Sequence, residues 1–92
     1  MAFLSKFRGF RGENDHVIAH DHSSNHRAEI EKSEACGCFY RMAIFPPADI
    51  IEWIDQGQCA LCPKCEIDSV IGSASGFPIA KDFLERMHAH WF

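Results

Sequence analysis

An α+β fold with short antiparallel strands and two to three helices is what this sequence predicts. Three observations carry that expectation. Aromatic and β-branched residues are concentrated at 39–45 and 67–71, apolar residues recur at helical spacing over 47–57 and 78–92, and two groups of cysteines bracket the first of these helical stretches. The cysteine groups read Cys36-Gly37-Cys38 and Cys59-Ala60-Leu61-Cys62-Pro63-Lys64-Cys65. Zn2+ accepts four thiolates at about 2.3 Å and has no geometric preference of its own, so two thiol pairs brought together satisfy it and leave no position for water. One structural zinc on Cys36, Cys38, Cys62 and Cys65 is therefore expected, in a zinc-ribbon-like or treble-clef-like domain. Cys62-Pro63-Lys64-Cys65 has the stronger turn chemistry, because a proline after the first ligand fixes φ for the turn. Cys59 with Cys62 is the competing pair, and strand alternation up to Leu61 is expected to carry Cys59 away from the metal.

Taken in order, the chain opens with Phe3, Leu4, Phe7 and Phe10 at helical spacing, an arm whose phenylalanines are expected to pack on the domain. His16, His20, His22 and His26 follow. The pairs His16/His20 and His22/His26 are each four residues apart, so each pair would share a helix face and could bite a metal, but Ser23-Ser24-Asn25 signals a break between them. Solvated side chains are the expectation here. Residues 25–35 read as a largely solvated helix with Arg27 facing Glu31. Residues 1–33 are thus read as an arm and a solvated helix, and 34–92 as the zinc-binding domain.

Residues 39–45 suggest a strand ended by Pro46-Pro47. Pro47 suits the first position of a helix ending at Gly57, with Ile50, Ile51, Trp53 and Ile54 on an arc of about 160°. Trp53 is either buried in the core or set on an interface rim. Short strands are expected at 58–61 and 67–71. Gly72-Ser73-Ala74-Ser75-Gly76 lacks the lysine of a phosphate-binding loop and reads as a plain turn. Pro78 opens a last helix with Ala80, Phe83, Leu84, Met87 and Trp91 on its core face.

Size and charge narrow the function classes. A hydrophobic core in 92 residues supplies only a few kcal/mol, which makes a metal cross-link a natural part of the stability. The net charge is −4, and residues 33–92 hold eight acidic but only four basic side chains. Nucleic-acid modules carry basic stripes, so this balance disfavours phosphate backbones and favours a protein partner with a basic patch. Nothing in the first residues has the apolar core of a secretory signal, and no run approaches a membrane span. Closely spaced cysteines in odd number fit metal ligation in a reducing cytoplasm better than a disulfide framework.

The runs Cys-x-Cys-Phe-Tyr at 36–40, Phe-Pro-Pro-x-x-Ile-x-Glu-Trp at 45–53, Ala-Leu-Cys-Pro-Lys-Cys-x-Ile-Asp-Ser-Val-Ile-Gly-Ser at 60–73 and Phe-Leu-x-x-Met-His-x-x-Trp-Phe at 83–92 resemble a family of small bacterial proteins described only as cytoplasmic proteins. The resemblance covers about residues 34–92 and implies a zinc-ribbon-like domain and a cytoplasmic location, without an activity. Glu66 stands where that pattern has glycine, and Cys59 where it has threonine, which agrees with Cys59 being dispensable for metal. The expected function is non-enzymatic: a zinc-stabilised interaction module, such as a regulator, immunity or inhibitor protein, for which exposed Phe and Trp would favour a homodimer. The alternatives are a nucleic-acid-binding zinc ribbon and a metal-dependent hydrolase using the N-terminal histidines.

Overall fold

The computed structural model describes residues 14–92, so the aromatic arm expected at residues 3–10 lies outside the described residues. The fold is α+β. Its centre is a three-stranded antiparallel sheet in the order β2-β1-β5, with β1 at Cys36–Cys38, β2 at Ala43–Phe45 and β5 at Val70–Gly72. A separate hairpin pairs β3 (Trp53–Ile54) with β4 (Cys59–Ala60). Among the described residues three α-helices accompany them: α1 at Asp15–Ile18, α2 at Arg27–Lys32 and α3 at Lys81–Trp91.

Alternation along β1 divides the interior in two. Cys36 and Cys38 face one side with their cross-strand neighbours Phe45 and Val70, and join Ile30, Ile50, Ala60 and Cys62 in one apolar cluster. The opposite face packs Ile71 against Phe83, Leu84 and Met87 of α3, with Ala19 and Phe39. Gly37 lies between these layers. A Cβ there would come within 2.9 Å of Leu84, so the missing side chain is what lets α3 sit directly on the strand.

The last helix forms and buries Phe83, Leu84 and Met87 of its expected core face, but it starts at Lys81 rather than at Pro78 and leaves Trp91, expected on that face, exposed at the chain end. The helix expected over 47–57 does not form. A single 3-10 turn occupies Pro47–Asp49, the chain is then extended, and β3 begins at Trp53. Two local preferences defeat the helical spacing. Ile50, Ile51 and Ile54 are β-branched, and residues 55–57 take left-handed backbone at φ 55°, 60° and 85°, which closes a hairpin rather than capping a helix. Of the four apolar residues on the supposed helix face only Ile50 is buried, while Ile51 is 82% exposed. Trp53 is half-buried against the core, with the Arg27 guanidinium 4.3 Å from its ring centroid. The segment 39–45 likewise splits into a turn at 39–42 followed by β2, and the strand expected at 67–71 begins only at Val70.

Residues 15–33 are packed into this framework. Ala19 and Ile30 are fully buried, although Arg27 and Glu31 make the expected surface pair at 3.0 Å. Ser33 donates to the Glu29 carbonyl and accepts the Ala74 N–H at 2.9 Å, while Ser73 Oγ accepts the N–H groups of Glu34 and Ala35. The small-residue loop thus anchors the end of α2.

His26 makes the other anchor. Its Nε2 accepts the Ala60 N–H at 3.0 Å, so its proton must sit on Nδ1, which donates to the His22 carbonyl at 2.6 Å. Burial lowers its pKa below the ordinary 6.5. The unfolded chain therefore takes up a proton that the native ring resists, and the contribution of His26 is complete above about pH 6.5 and declines as the pH falls through its lowered value. We expect stability, read as a denaturant midpoint, to be lower at pH 5 than at pH 7. His26→Gln, whose amide oxygen can accept from Ala60 without titrating, should reduce that difference.

Candidate metal centre

Three sulfurs meet where two loops face each other. Cys38 ends β1, and Cys62 and Cys65 bound the Pro63-Lys64 turn after β4. The Sγ atoms of Cys38, Cys62 and Cys65 all lie within 4.8 Å of one another, with Cys38 and Cys65 at 3.7 Å. A tetrahedral ion with bonds of about 2.3 Å sets its sulfurs roughly 3.8 Å apart, so the Cys38–Cys65 separation is the spacing such an ion requires and Cys62 lies within reach of the same ion. Cys38 and Cys62 are buried and Cys65 is partly open to solvent.

Local backbone geometry holds the sulfurs in place. Cys38 Sγ accepts the Arg41 N–H at 3.5 Å and Cys62 Sγ accepts the Lys64 N–H at 3.3 Å. The Glu66 N–H closes the second turn on the Cys62 carbonyl at 2.8 Å. Ser69, which is also buried, places its hydroxyl 3.0 Å from Cys38 Sγ. Ser69 is not among the residues the sequence singles out, because beside Asp68 its hydroxyl reads as an ordinary polar residue before Val70-Ile71.

Cys36, expected as a fourth ligand, is fully buried in the same apolar cluster but does not belong to the group of three. A strand advances about 3.3 Å per residue. Two residues along β1, Cys36 and Cys38 face the same way with their backbones nearly twice the sulfur spacing of a tetrahedron apart. Cys59 lies apart as expected, donating its thiol to the Ser23 carbonyl at 3.5 Å.

The four N-terminal histidines go four ways. His16 meets His90 edge-on at 5.5 Å, His20 stacks on Trp91 at 3.9 Å, His22 pairs with Glu29 at 3.0 Å, and both nitrogens of His26 are engaged. A 3-10 turn over Ala19–Ser23 replaces the helix that the four-residue spacing presupposes. Among the described residues, no histidine joins a group of three ligand atoms able to share an ion.

Burial pushes the Cys65 thiol up to about 12, reinforced by hydrogen bonds with Cys62 and Cys38, and burial alone takes Cys36 to about 11. No protein family, characterised protein or solved structure matches the chain, so the motif resemblance stands without support beyond the cysteine cluster itself. Among the described residues no helix is long and apolar enough to cross a membrane. Thiols are ordinarily protonated at pH 7, and an ion binds thiolates, so its entry must expel their protons. Zinc added to the reduced, metal-free protein in weak buffer at pH 7 should release about three protons per ion; release of one or none would show that the sulfurs do not ligate it.

Proposed function

We propose that this protein is a non-enzymatic interaction module whose small domain is held together by one zinc on Cys38, Cys62 and Cys65. The observation that carries the reading is the 3.7 Å approach of two sulfurs 27 residues apart in sequence, within a trio whose sulfurs all lie within 4.8 Å of one another. The strands that deliver them are two or three residues long, too short to be stable alone, and a metal joining their loops would supply what the ladders lack. The surface beside this site supports the interaction half of the reading. Tyr40 and Phe92 are exposed and in edge-to-face contact at 4.8 Å, and His20 and Trp91 are stacked close by, across Phe39. Exposed aromatics are the residues that anchor protein interfaces, and the acidic balance of residues 33–92 suits a basic partner.

The hydrolase reading draws no support from the histidines, which are dispersed or fully hydrogen-bonded. A nucleic-acid-binding ribbon would need a basic surface that the net charge of −4 does not favour.

Cys62→Ser is expected to abolish zinc binding and to collapse the fold of residues 34–92, as is a strong chelator. Cys59→Ser, which preserves a donor for the Ser23 carbonyl, should cost about 1 kcal/mol and leave the zinc content unchanged. Equal losses at both positions, read by metal analysis and denaturant midpoint, would overturn the assignment. A second test concerns the surface: zinc-loaded protein should cross-link to a protein partner in its native extract, with capture lost in the Tyr40→Ala/Phe92→Ala double variant at unchanged zinc content. A salt-sensitive gel shift with nucleic acid would instead favour the ribbon reading.

A further inference from the structure

The two loops that carry the sulfurs share a length and a left-handed closing residue, although the N–H that meets the sulfur comes from the third residue after Cys38 and from the second after Cys62. In the first, Cys38 and Ala43 face each other across β1 and β2 and enclose residues 39–42. In the second, the Cys62 N–H donates to the Ile67 carbonyl at 3.0 Å, and the enclosed residues are 63–66. Each loop begins on a cysteine whose sulfur accepts an N–H from within the loop. Each ends on a left-handed residue, Met42 at φ 56° and Glu66 at φ 65°. Neither is a glycine, so the turn itself imposes a backbone that L-residues avoid. The loop at 55–58 between Ile54 and Cys59 has the same length but places its left-handed residues at Asp55, Gln56 and Gly57. Length alone does not produce the shared geometry.

When the two turns are matched, Cys38 corresponds to Cys62 and Arg41 corresponds to Cys65. The second loop therefore brings two sulfurs to the cluster and the first brings one. Two facing turns of this kind provide four tetrahedral corners only if both carry thiols at both positions. Here the position that matches Cys65 is held by Arg41, which is exposed, while Cys36 stays behind in the strand among apolar side chains.

Resting on the zinc reading above, we propose that the bound ion has three protein thiolates and an open fourth coordination position on the Arg41 side, which takes an external thiol. Three thiolates on a divalent ion leave a site that still accepts a soft donor. Exposed Arg41 and Lys64 bring positive charge to the two loops, and Cys65 opens that side to solvent. An entering thiol gives its proton to solvent, forms a sulfur–metal bond and displaces a water.

Co2+ loaded into the full chain tests this, because sulfur-to-cobalt charge-transfer absorption grows with each sulfur bound. Adding 2-mercaptoethanol to the wild-type protein should raise that absorption by about one third, from three sulfurs to four. Arg41→Cys should show the higher intensity from the outset and no longer respond to added thiol. Cys36→Ala should behave as wild type. A wild-type protein that shows no response to thiol, and loses about a quarter of its intensity in Cys36→Ala, has a closed four-cysteine shell and the open position is refuted. The wild-type and Cys36→Ala measurements decide the question even if Arg41→Cys fails to fold. Absence of cobalt binding by the wild-type protein overturns the zinc reading itself, whereas cobalt binding without a thiol response overturns the open position alone.

Discussion

The apposition of Cys38 and Cys65 is the constraint on which the remaining structure depends. Each sulfur sits on a loop that closes a very short ladder, and three-residue strands do not hold a register by backbone hydrogen bonds alone. An ion joining the loops would fix β1, β2 and the segment after β4 relative to one another. The apolar cluster of Ile30, Phe45, Ile50, Ala60 and Val70 can then close beneath them. Because the cluster contains Cys36, Cys38 and Cys62, the sulfur site and the core are one body, and a fault in either propagates to the other.

Elements with a long, single-faced pattern were legible in the sequence. Helix α3 has three turns of consistent spacing, which no local preference contradicts. The separation of Cys59 from the other thiols was also legible, since strand alternation needs only the position of β4. The stretch 47–57 was not, because four apolar residues in five fit a helix arc and an extended chain almost equally. The outcome was decided by the left-handed turn at Asp55, Gln56 and Gly57, a conformation that two non-glycine residues do not announce. Of the cysteine cluster, the Cys62-x-x-Cys65 half was readable from its proline turn. Cys38 was expected from its pairing with Cys36, but the separation of Cys36 from the group was hidden, because it depends on how far apart β1 sets two residues of the same face.

The N-terminal histidines show a different limit. Their four-residue spacing has meaning only on a regular helix, and the 3-10 turn over Ala19–Ser23 redistributes them. His26 became a buried connector between α2 and β4, satisfied on both nitrogens, whereas the same residue on a solvated helix would be inconsequential. Sequence spacing registers neighbours along one element. It does not register the amide of Ala60, which is 34 residues away.

Gly37 gives the sheet an unusual thinness. With no side chain there, Leu84 rests against the back of the strand whose front carries two thiols, and only one layer of backbone separates the helix from the sulfur side. A load on the exposed end of α3 would thus reach the three sulfurs almost directly, and a rearrangement among the sulfurs would in turn be felt at the far surface of the helix.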